Sequence, residues 1–129
     1  MRHRRHGRKL NRDTAHRLAL RRNLARALFL SHRIVTTVEK AKFARAFAER
    51  LITIARENTP ANQALVRSRL TDKTVVKKLF DVIGPHFKAR AGGYTRIVRL
   101  AKNRLGDDAS QAVFELVDLP REKVETAAD

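Results

Sequence analysis

From position 14 to position 83 the apolar residues recur at steps of three and four, and beyond position 94 they alternate or run together. The change of period predicts helices first and strands last. Asp13 or Thr14 can cap a helix running to about Leu30, with Leu20, Leu24, Ala27 and Leu28 on one stripe and Arg17, Arg21, Arg22 and Arg26 mostly off it. Ile34 to Val38 is a short β-branched run, too brief for a helix and suited to one strand. Thr36 stands three residues before Glu39, which is capping-box spacing, and Phe43, Phe47, Leu51, Ile54 and Ala55 then mark a long helix from about Glu39 to Glu57. Thr59 and Pro60 start a third helix that ends near Leu70. Asp72 caps a fourth in which Val75, Val76, Leu79, Phe80 and Ile83 face inward, and Gly84-Pro85 reads as its stop. Tyr94 to Leu100 and Ala112 to Val117 read as a β-hairpin with a long tip around Gly106, Asp107 and Asp108.

These elements predict an α+β fold in the order helix, strand, three helices, two strands, with the helices packed on one face of a small three-stranded sheet. Residues 13–118 form the expected single domain, flanked by a basic arm over 1–12 and an acidic tail over 119–129 that is expected to be disordered. A chain of this length can bury roughly two thirds of its unfolded surface in one core. The longest apolar runs are short pieces such as Ala27 to Leu30, far below the about 18–20 residues of a membrane span. The basic start has neither the apolar middle of a secretion signal nor the character of an organellar import sequence, so no cleaved leader and no membrane partner are expected.

Charge narrows the picture further. Against 29 Lys and Arg stand 13 Asp and Glu, a formal net charge of +16, and the excess lies in residues 1–106, which hold 27 bases and 6 acids. Residues 107–129 reverse it, with 2 bases and 7 acids. Such an imbalance opposes the compact state of a free protein and is tolerable where a partner supplies countercharge. Arg2, Arg4, Arg5, Arg8, Lys9 and Arg12 crowd into the first twelve residues with no acid among them, and their guanidinium forks match phosphate geometry. Nucleic acid is the first partner to consider.

Catalytic and metal chemistry find little footing. Cysteine is absent, which removes disulfides and thiolate sites and is compatible with a reducing cytoplasm. His3, His6 and His16 have no neighbouring thiol or carboxylate set, and the cations around them disfavour a divalent ion, so no metal or cofactor is expected; they read better as donors or stacking groups for nucleotides. Ser31, Ser68 and Ser110 lack a glycine-flanked nucleophile setting, and Asp107 and Asp108 lie in a loop, so no enzyme and no small-molecule substrate are expected. Gly92 and Gly93 sit between Arg90 and Arg96, where they would let a backbone approach a sugar-phosphate chain while Tyr94 offers a ring. The same residues also suit an ordinary turn entering a strand with the tyrosine packed on the core. The helix faces bearing Arg67, Arg69, Lys73, Lys77 and Lys78 would individually read as solvated surface.

Three blocks of residues resemble a known family. Met1-Arg2-His3-Arg4, Gly7 to Arg12, His16-Arg17 and Arg22-Asn23 form the first. The second is Ile34, Thr36, Thr37, Lys40, Ala41 and Lys42, followed by Glu49, Leu51, Ile52, Thr53, Ala55 and Arg56. Lys78-Leu79-Phe80, Gly84-Pro85, Phe87, Arg90 to Ile97 and Glu115 to Asp118 make the third. Over residues 1–118 they are similar to the bacterial large-subunit ribosomal protein seventeen family. The resemblance implies a non-enzymatic cytoplasmic component of the large ribosomal subunit, bound to 23S ribosomal RNA near the peptide exit tunnel and beside neighbouring large-subunit proteins. The RNA contacts so expected are Arg2, His3, Arg4, Arg5, His6, Arg8, Lys9, Arg12, His16, Arg17, Arg21, Arg22, Lys40, Lys42, Arg90, Gly92, Gly93, Tyr94 and Arg96. A histone-like DNA-binding protein is the alternative, although no apolar dimer face or groove-reading module is visible.

Overall fold

A computed structural model describes His3 and residues 9–119. Its elements are α1 (Thr14–Ser31), β1 (Arg33–Thr37), α2 (Val38–Ala55), α3 (Pro60–Leu70), α4 (Lys73–Lys78), a π-helical turn (Leu79–Ile83), α5 (Gly84–His86), β2 (Thr95–Arg99) and β3 (Gln111–Leu116). The class is α+β. Each long helix begins where a short polar side chain can satisfy an orphan amide. Asp13 accepts from the His16 N–H at 2.7 Å, Thr59 from Asn62 at 3.2 Å, and Asp72 from Thr74 at 3.0 Å. At α2 the cap is Thr37, whose Oγ1 accepts from the Lys40 N–H, rather than the expected Thr36. The capping-box spacing points one residue too early: the strand runs on through Thr37, paired opposite Gln111, and its last residue doubles as the helix cap.

β3 lies at the centre of the sheet, antiparallel to both β1 and β2, in the order β1-β3-β2. The register places Ile34, Phe114 and Ile97 abreast on one face and Val35, Val113 and Val98 abreast on the other. The first row joins the core, while Val35 and Val98 are exposed. Pleating explains the division, since successive residues point to opposite faces. α1 and α2 carry the core over the inward row, with Ala25, Leu28 and Phe29 from α1 and Leu51, Ile52 and Ala55 from α2 buried.

Three sequence expectations change here. On α2 the innermost positions are Ala41, Ala44 and Ala48, while Phe43 and Phe47 are only half-buried. Alanines let helix backbones approach closely, so the bulky phenylalanines are left at the flank. Gly84-Pro85 is not a stop: the chain continues without a break from α4 through the π-turn into α5 and ends at Phe87. A Cβ on Gly84 would lie 2.3 Å from the Ala55 carbonyl oxygen, so this glycine marks the close packing of two helices. Leu119, expected in the tail, is half-buried against the core, whereas residues 120–129 lie outside the described residues.

Candidate nucleic-acid interface

Most of the described carboxylates are already engaged within the protein. Asp13 and Asp72 cap helices, and Asp72 also pairs with Arg26. Glu49 Oε1 accepts from the Thr95 hydroxyl at 2.8 Å and lies 3.5 Å from Arg45. Glu115 stands between Arg33 and Arg96 on the open face of the sheet, and Asp118 pairs with Arg90. At the hairpin tip the Arg104 guanidinium holds the Asp107 carboxyl down to about 2, with help from the Ala109 N–H. Against these stand exposed cations with no carboxylate partner among the described residues: Lys42 and Arg50 on α2, Arg67 and Arg69 on α3, Lys73 and Lys77 on α4, and Lys88, Arg99 and Lys102 in the last third.

A shallow groove gathers part of this surplus. Its walls include Ala46, Glu49, Arg50 and Thr53 of α2, Arg69 at the end of α3, and Gly92 beyond α5. Nothing lies within 4 Å of where a Cβ on Gly92 or Gly93 would stand, and Gly93 has φ +62°. The exposed glycines therefore leave their backbone open to approach by a ligand strand. Guanidinium groups beside an open backbone are suited to phosphate and sugar contacts.

The expected contact residues fall into three groups. Arg2, Arg4, Arg5, His6 and Arg8 lie outside the described residues; His3 and Lys9 are exposed. Lys42, His16, Arg90, Gly92, Gly93 and Arg96 are exposed, although Arg90 and Arg96 already pair with carboxylates. The third group is drawn into the fold. Arg12 donates to the Leu10 carbonyl at 3.0 Å, and Arg17 donates to the Arg12 carbonyl at 2.7 Å, so the end of the arm is hooked onto α1. Arg22 Nε donates to the Arg69 carbonyl at 2.7 Å, tying α1 to α3. Arg21 lies over the rings of Phe43 and Phe47, at 5.8 and 5.3 Å from their centroids, covering the flank that α2 leaves half-buried. Lys40 is half-buried in the first turn of α2.

Tyr94 belongs to the core. It is 1% exposed, packs on Phe87 at 5.2 Å between centroids, and its hydroxyl receives hydrogen bonds from Arg56 Nη1 at 3.0 Å and the Thr53 hydroxyl at 3.2 Å. Of the two roles open to it in the sequence, the ring fills the packing one. Arg50 is a further candidate that no sequence pattern marks, since nothing along the chain shows that Gly92 and the end of α3 border the polar face of α2. Among the described residues no cluster of His, Asp or Glu could hold a metal ion.

Residues 20–117 match the profile of the family described as Ribosomal protein L17. The chain is 52% identical over 118 residues to the large ribosomal subunit protein bL17 of Zymomonas mobilis subsp. mobilis, covering 92% of this chain and 84% of that protein.

Proposed function

The chain belongs to the ribosomal protein L17 family, and from that premise we propose that it anchors 23S ribosomal RNA in the large ribosomal subunit, near the peptide exit tunnel and beside other subunit proteins. It is a structural constituent of the bacterial translation machinery, and the family carries no enzymatic role into the reading. The observation that supports anchoring is the division of charge: most of the described carboxylates consumed by caps and ion pairs, and a remainder of exposed cations with no carboxylate paired to them among the described residues. In ribonucleoprotein those cations neutralise phosphates that would otherwise repel at close approach.

The division of labour follows from local structure. The arm over residues 1–12 supplies the densest charge, with His3 and His6 as stacking groups worth about 1–3 kcal/mol per ring. The α2 groove lends Arg50, Arg69 and the Gly92 backbone to one further stretch of RNA. Shape and phosphate contacts dominate, and there is no turnover. Family membership favours this over histone-like DNA compaction.

Tagged chain sedimented through a high-salt sucrose gradient is expected to travel with the large subunit. Release to the top of the gradient, or equal affinity for ribosomal RNA and random duplex DNA at physiological salt, would overturn the proposal.

A further inference from the structure

A second recess, separate from the α2 groove, opens between α3 and the α4–π segment. It encloses about 420 Å³, within the range of clefts that accept small ligands. Its lining divides by chemistry. Arg67, Lys73 and Lys77 contribute three cations, none of them ion-paired among the described residues. Asn58 and Gln63 contribute carboxamides, joined by a hydrogen bond from Gln63 Nε2 to Asn58 Oδ1. That bond leaves the Asn58 NH₂ and the Gln63 carbonyl oxygen without a hydrogen-bond partner among the described residues, available to a ligand. Val76 and Phe80, 4% and 5% exposed, supply the apolar part of the lining. Asp81 is the one carboxylate among these lining residues, so the recess remains cationic.

We propose that this recess takes a single unstacked nucleotide of ribosomal RNA, its phosphate held by Arg67, Lys73 and Lys77 and its base edge by the Asn58 and Gln63 carboxamides. A bare phosphate would leave the apolar lining and both amides without a purpose. An acidic peptide would answer the cations but not this donor and acceptor pair beside an apolar wall. Bases splayed from single-stranded loops meet all three demands at once, through charge, edge hydrogen bonds and apolar contact. The backbone supports the reading. The π-turn Leu79–Ile83 falls where Phe80 and Asp81 enter the lining, and such a slip in helical register re-aims side chains locally. The inference rests on the RNA-anchoring function but concerns a different surface from the arm and the α2 groove.

The test uses the full chain bound to deproteinised 23S RNA. Ultraviolet irradiation followed by mass spectrometry is expected to find nucleotide adducts within residues 58–81. Gln63→Glu, a partly exposed substitution within α3, is expected to abolish those adducts and weaken binding about ten-fold, with the thermal midpoint unchanged. Lys73→Ala with Lys77→Ala is expected to lower the salt slope of binding by about 1–2. Unchanged affinity and adducts in Gln63→Glu would overturn the proposal. So would variants that bind naked RNA normally yet enter subunits poorly when the other subunit proteins are present, a result that would give the recess to an acidic protein segment. In both cases RNA binding through the arm would persist, leaving the anchoring function intact.

Discussion

Two side-chain positions show how far a residue's type reveals its task. Gly84 looks like helix punctuation, yet its missing Cβ is what allows α5 to rest against the Ala55 carbonyl. Gly84→Ala forces the two helices apart, and overpacking of this kind costs about 1–3 kcal/mol, to be read as a lower urea midpoint. An unchanged midpoint would mean that the contact relaxes without cost. Tyr94 beside two glycines and two arginines suggests a nucleotide platform, but β2 lies on the core and carries the ring inward against Phe87. Tyr94→Phe removes the hydroxyl that Arg56 and Thr53 share, with an expected loss of about 1 kcal/mol in denaturation. RNA affinity of that variant should stay within about two-fold, since Tyr94 borders the α2 groove but is only 1% exposed and keeps its ring in place.

At the scale of elements, the caps and breaks carry most of the information. Asp13, Thr59 and Asp72 start helices where their side chains can accept an amide hydrogen, because that chemistry is local. The hairpin is likewise legible from its change of period. The α2 face is not, because hydrophobic size draws the eye to Phe43 and Phe47, while the packing distance between helices selects the alanines. Nor can spacing reveal the π-turn, which leads directly into Gly84 where that residue meets the Ala55 carbonyl of α2. The hairpin tip offers an element-level measurement. Asp107 is held down to about 2 from an ordinary 3.8 by Arg104, so the pair is intact above the ordinary carboxylate range and is lost as pH falls through about 2. Carbon-detected NMR titration of the Asp107 carboxyl should show that low midpoint, and Arg104→Ala should return it toward 3.8. A midpoint near the ordinary value in the unaltered chain would contradict the pairing.

For the whole molecule, the charge imbalance is plain from the amino-acid sequence alone, but its meaning depends on which cations remain uncommitted. Arg12, Arg17, Arg21 and Arg22 look equivalent to Arg50 and Arg69 along the chain, yet Arg12 and Arg17 bond the segment leading into α1, and Arg21 and Arg22 brace α1 against α2 and α3. The class of partner is therefore easier to read from residue types than the surface that meets it. The salt dependence of full-chain binding to deproteinised 23S RNA tests the central claim, with deletion of residues 1–12 and the pair Arg50→Ala, Arg69→Ala as comparisons. Losing the six arm cations should flatten log Kd against log salt by up to about 4–5, and losing the two groove arginines by about 1–2. Identical slopes for all three proteins would contradict the claim that the arm and groove cations hold the RNA.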